Sequence, residues 1–168
     1  MSYEKDLQKF ARQAEKAIDE LISSKTLTPI AQKAAEIIKR RTRLGQGVAA
    51  SGEKKKALAP LADSTKLSRK KKQKRGELSD LTTPNRSNLT ETGEMLESLE
   101  GRAINKLIEV SVKGDRNKKL AAFHTLGRSS PTFMPKRPFL NLAMEDIKQL
   151  TAVLQDEFTN ILNKVFKK

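Results

Sequence analysis

The chain has 168 residues, enough for one domain with its own core, yet only 36% of them are apolar and 4% aromatic. Much of it must therefore be surface, arm or subunit interface. Its net charge of +14, from 34 Lys and Arg against 20 Asp and Glu, draws it to polyanions or to acidic protein surfaces. The lack of cysteine excludes disulfides and thiolate metal sites, and no apolar run approaches the roughly 18–20 residues of a membrane span. The opening Met1 to Asp6 is charged and lacks the apolar stretch of a signal peptide, so a reducing, cytoplasmic setting is expected.

Residues 3–23 read as an amphipathic helix. Leu7, Phe10, Ala14, Ala17, Ile18, Leu21 and Ile22 recur at spacings of three and four, and Lys5, Lys9, Arg12, Lys16 and Asp19 occupy the other face. A second helix is expected from Thr28 as N-cap and Pro29 as first helical residue, with Ile30, Ala34, Ile37 and Ile38 inward and Gly45 as its stop. Both helices carry basic faces. Packing against a sheet accounts for them better than a membrane surface does.

Residues 44–88 change character and are expected to form an extended arm or long loop within a single domain spanning 1–168. Gly45, Gly47 and Gly52 loosen the backbone, and Leu58-Ala59-Pro60-Leu61 offers a small anchor. The run from Lys66 to Arg75 is nearly all cationic. Asp63-Ser64-Thr65 can start a short helix through it, but like charges four apart oppose one. A short helix is then expected near Met95, Leu96 and Leu99, capped by Thr90 or Thr92 and ended by Gly101. Ile108, Val110 and Val112 alternate with Glu109, Ser111 and Lys113, the clearest strand in the chain. Gly114 to Asn117 reads as a turn. Leu120 to Leu126 is a short helical element stopped by Gly127. Each proline in Met134-Pro135-Lys136-Arg137-Pro138 extends the residue before it, so a pinned connector is expected there. A long helix over 142–166 closes the chain, capped by Asn141, with Glu145 and Asp146 in its first turn and a stripe from Met144 through Ile147, Leu150, Leu154, Phe158 and Ile161 to Val165.

Little here looks catalytic. The phosphate-binding Gly-x-x-x-x-Gly-Lys-Ser/Thr loop and the Gly-x-Ser-x-Gly nucleophile turn are absent. His124 is the sole histidine, and packing or hydrogen bonding explains it better than catalysis or metal binding. No enzyme, metal or cofactor is expected. The basic run, with Lys66, Arg69, Lys70, Lys71, Lys72, Lys74 and Arg75, suits either phosphates or the acidic face of a protein neighbour. It has no interleaved aromatic to stack on bases.

Three segments occur together in order: Thr92-Gly93-Glu94-Met95-Leu96-Glu97-Ser98-Leu99, then Ala121-Ala122-Phe123-His124-Thr125-Leu126-Gly127, then Pro135-Lys136-Arg137-Pro138-Phe139-Leu140. This order, ahead of a final helix, resembles the small neck proteins of tailed bacteriophages, variously called tail-completion, head–tail joining or virion-morphogenesis proteins. Gly52, Leu58 to Leu61 and Thr65 are similar to a further stretch of that family, although its tryptophan is absent. The resemblance implies an α+β subunit in which a small antiparallel sheet packs against long N- and C-terminal helices, with the long basic loop or arm in the middle. It implies a non-enzymatic structural protein of the virion, assembled in the host cytoplasm as a homo-oligomeric ring at the head–tail junction. Connector or portal-side proteins would lie on one side of the ring and tail-tube or terminator proteins on the other. DNA in the neck channel would lie near the basic run, and no membrane is involved. On that reading His124, Phe133, Met134, Arg137 and Phe139 form an interface. Phe139 and Leu140 anchor the connector, and Arg137 makes a salt bridge or subunit contact.

Overall fold

A computed structural model of the chain describes residues 2–49, 52–78, 82–85, 87, 89, 93–129 and 133–166. Helices α1 (Ser2–Leu21) and α2 (Ser24–Arg43) are separated only by Ile22 and Ser23. Ser23, not Thr28, caps α2: its backbone is extended and its Oγ accepts the Thr26 N–H at 3.3 Å. Pro29 therefore falls inside the helix, which gives up one backbone hydrogen bond near its start and runs on.

The fold is built on α2. Leu27, Ile30, Ala31, Ala34, Ala35, Ile37 and Ile38 are all buried, on more than one face of the helix. One side lies on a hairpin of β3 (Leu99–Ile104) and β4 (Leu107–Val112), paired antiparallel from Leu99↔Val112 to Ile104↔Leu107. The strand expected at Ile108–Val112 is the body of β4. Its inner face is covered unevenly, for Val112 is buried while Ile108 remains exposed. Strand β3 was not expected, because Gly101 read as a helix stop. Gly101 instead lies within the strand, where a Cβ would collide with the Ala31 carbonyl and the Gln32 nitrogen of α2. The missing side chain is what lets the helix backbone rest on the sheet.

The described residues of the 44–88 stretch contain two short strands and a helix. Strands β1 (Gln46–Val48) and β2 (Lys55–Ala57) pair antiparallel, and the cationic run forms α3 (Asp63–Lys74). Local terms offset the like-charge repulsion. Asp63 sits in the first turn and takes Lys66 at 2.8 Å, Lys71, Lys72 and Lys74 sit in the last turn, and Arg69 turns inward.

A single turn, α4 (Glu94–Glu97), precedes β3; the expected caps Thr90 and Thr92 lie outside the described residues. Helix α5 (Asp115–Leu126) begins earlier than expected, taking in most of the supposed turn, and stops at Gly127 as expected. Helix α6 (Met144–Phe166) is not capped by Asn141. The Asp146 carboxylate reaches back and accepts the Ala143 N–H at 3.0 Å.

The α+β class is as expected, with long helices at both ends and two small antiparallel sheets among the described residues. One core cluster joins Ile38, Leu58, Leu96, Leu99, Val112 and Phe139. A second joins α2 to α6 through Leu27, Ile30, Ala34, Ile37 and Leu150. Helix α1 packs on α6, with the Phe10 and Phe166 rings 5.3 Å apart and Gln13 Nε2 donating to the Val165 carbonyl. About half of its apolar stripe stays open: Tyr3, Leu7, Phe10 and Ile18 are each more than half exposed, while Ala17 is buried and Ala14, Leu21 and Ile22 are partly covered. No helix among the described residues is long and apolar enough to cross a membrane.

Candidate functional site

The connector expected after Gly127 is pinned by backbone hydrogen bonds. Arg128 and Met134 exchange N–H and carbonyl at 2.9 and 2.7 Å, and the Arg137 N–H donates to the His124 carbonyl at 2.6 Å. Gly127 makes the return possible. Its φ is +76°, and a Cβ there would lie 2.9 Å from both the Met134 carbonyl and the Lys136 side chain. The connector is thereby folded back against the end of α5.

Between this connector, α5, α3 and the Ala59–Ala62 segment lies an open cavity of about 750 Å³. It gathers residues far apart in sequence. His124, Phe133, Met134 and Arg137, four of the five expected interface residues, line it. So does Arg69, alone among the expected basic residues. Phe139 does not. Its ring is completely buried in the core, so it anchors the connector and has no surface to offer a neighbour.

Arg137 also differs from expectation. Its side chain is buried, with Nε donating to the Ala59 carbonyl at 3.1 Å and Nη2 to the Pro60 carbonyl at 3.0 Å. It is an internal tie between the connector and the segment leading into α3. Removing it would loosen the monomer, so Arg137 is no clean handle on assembly. His124 is held neutral, its pKa pushed down to about 4 first by burial and then by the charges of Arg137 and Arg69. Its Nδ1 is buried with no hydrogen-bond partner among the described residues.

The remaining basic residues divide by helical angle. Arg69 marks the inward side of α3, with Lys66 and Lys72 half-buried beside it. Lys70, Lys71 and Lys74 point within an arc of about 100° on the opposite, exposed side. Arg75, the C-cap residue, is exposed as well.

Sequence reasoning missed one constellation. Arg41 and Asp146 form an ion pair with both side chains almost fully buried. Arg41 Nη2 also donates to the Phe139 and Asn141 carbonyls at 2.7 and 2.6 Å, and Lys55 stands 3.5 Å from the same carboxyl group. Burial lowers the Arg41 pKa, and the Asp146 charge and hydrogen bond oppose that shift. The signal was present in the spacing. Arg41 follows Ala34 and Ile37 on the apolar stripe of α2, and Asp146 precedes Leu150 and Leu154 on that of α6. A charge of each sign set in register with an apolar stripe marks a buried pair.

Chemically, the cavity is suited to binding. Among the described residues no three His, Asp or Glu side chains cluster as metal ligands. The neutral His124 has guanidinium neighbours and, among the described residues, no carboxylate to orient it as a base. Compared with protein-family models, curated proteins and solved structures, the chain matches none.

Proposed function

We propose that this chain is a structural subunit of a tailed-bacteriophage neck, a tail-completion or head–tail joining protein without enzymatic activity. Copies of it form a ring that joins the connector to the tail tube in the virion. The observation that carries this reading is the open apolar face of α1. Tyr3, Leu7, Phe10 and Ile18, spaced 4, 3 and 8 apart, stand 79, 57, 58 and 51% exposed. On α6, Met144, Ile147 and Val153 are also open. A stripe of this kind normally marks an interface awaiting its other half. Covering each of these α1 side chains contributes about 1–2 kcal/mol, enough together to hold a subunit contact. The ordered motifs from Thr92 to Leu140 supply the phage assignment, and the α+β frame with long terminal helices accords with it.

Light scattering on the purified chain at low and high salt tests the reading. A discrete oligomer that survives salt is expected, because apolar burial is not screened. Leu7→Glu with Phe10→Glu should return it to monomer without loss of helical circular dichroism. A wild-type chain that is monomeric at both salt concentrations would refute self-assembly through this face.

A second reading, nucleic-acid binding, is favoured by one feature: the Lys70, Lys71 and Lys74 face of α3 is presented outward on a formed helix. It predicts DNA affinity that falls steeply with salt, with a slope reduced by about 3 when the three lysines become glutamine. An unchanged slope would remove it.

A further inference from the structure

The cavity beside His124 carries a chemistry that ring formation does not use. Its walls are largely apolar, from Leu61, Leu89, Met95, Leu120, Phe133 and Met134. Set into them are the side chains of Arg69, Arg116, Arg137 and His124, and Glu94 is the one acidic group among the described lining residues. The Glu94 carboxylate is 3.9 Å from Arg116 at the exposed rim. Deeper in, Arg137 gives two of its five N–H donors to neutral carbonyls, which leave its charge in place. Phe133 is 77% exposed at the margin, a large aromatic surface with nothing packed over most of it.

We propose that this cavity docks an acidic segment of a partner polypeptide, a glutamate or aspartate carboxylate entering beside Arg137 while the adjoining aliphatic or aromatic side chain lies against Phe133 and Met134. A planar guanidinium matches a carboxylate in shape and charge, and the surrounding apolar wall strengthens the pairing by excluding water. The volume of about 750 Å³ falls in the range that encloses a short peptide motif or a ligand of drug size. The exposed phenyl ring supplies rigid contact area at low entropic cost. Burial first, and then neighbouring arginine charge, lowers the pKa of both His124 and Arg137, in keeping with a positive site. Lone phosphates would meet the same guanidinium groups, but they would leave the apolar wall unused.

The proposal does not depend on self-assembly, since a monomer presents the same cavity. His124, the sole histidine, provides the probe: its ring resonances can be followed by NMR in the full-length protein without ambiguity. The ligand for the test is the blocked tripeptide acetyl-Leu-Glu-Phe-amide, and the control is its glutamine isostere. The glutamate peptide is expected to shift the His124 signals and to raise the titration midpoint above about 4, because its carboxylate offsets the arginine charge. The glutamine peptide should bind at least about tenfold more weakly. Phe133→Ser, at an exposed position, should weaken the glutamate peptide severalfold and leave the folded spectrum intact. Equal binding of the two peptides would overturn the proposal. So would an unperturbed His124 signal at about 1 mM peptide, or a shift produced by a DNA oligonucleotide and not by the peptide.

Discussion

Replacing Asp146 with asparagine keeps the side chain's shape and removes its charge. In the folded protein this leaves the Arg41 guanidinium buried, with carbonyl acceptors but no counter-ion, and turns the acceptor of the Ala143 N–H into a weaker one. Both side chains are at most 3% exposed, so water cannot take over the lost role. Breaking one member of a buried pair costs about 3–5 kcal/mol. The exposed pair Arg43–Glu97, at 30 and 55%, is by contrast worth about 1 kcal/mol or less. With a urea m-value of about 2 kcal/mol/M, the Asp146→Asn midpoint should fall by about 2 M. Arg41→Met should cost a similar amount. The double variant should lose clearly less than the sum, with a coupling of about 2 kcal/mol, because neither charge is then left alone. Additive losses, or a cost for Asp146→Asn below about 1 kcal/mol, would refute the view that this pair fastens α6 and the connector to α2.

Acid should weaken the fold through His124. Its pKa is about 4 in the folded chain against about 6.5 when unfolded, so the unfolded state binds more protons between those values. The His124 contribution is fully present above about pH 6.5 and is lost as pH falls toward 4, by at most about 3 kcal/mol. His124→Gln should flatten stability over that window in urea titrations at successive pH values; an unchanged slope would exclude the mechanism. Gly101→Ala should cost about 3 kcal/mol or abolish soluble expression, because the new methyl group meets α2 backbone that cannot yield; a wild-type melting temperature would contradict the close helix–sheet approach. Lys106→Gly should stabilise by about 0.5–1 kcal/mol. Asn105 and Lys106 both have positive φ in the β3–β4 turn, a conformation that glycine adopts without strain. A loss of stability in thermal melts would argue against that turn.

The elements legible in the sequence were those with a strong period or a clear stop. The stripes of α1 and α6, the alternation in β4 and the glycine ending α5 all depend on local pattern, and all appear close to where that pattern puts them. The misses had two sources. Gly101 carries a local meaning, a stop, that a tertiary contact overrides, because α2 needs the bare glycine there; Thr28 lost to a local competitor, Ser23, which caps the helix five residues earlier through the Thr26 N–H. For the candidate site, the connector and His124 were visible as a proline-bounded segment and a lone imidazole. That Arg69 from the basic run would join them could not be read from composition, because ten mostly cationic residues look alike until a helix gives each a direction.

That helix bears on function. A flexible cationic arm can follow any polyanion, whereas α3 divides its charge between two sides. Arg69 is committed to the cavity wall, and Lys70, Lys71 and Lys74 are committed to the outside. Holding like charges on adjacent turns is unfavourable, and the Asp63–Lys66 pair, itself exposed, offsets only part of it. The Arg137 bridge to Ala59 and Pro60, just ahead of the helix, adds a tie from the helix start to the connector. The order of α3 is therefore coupled to the connector. A ligand that engages Arg137 from the cavity acts on the tie that positions the outward lysines, so occupancy of the cavity and the display of the basic face should change together.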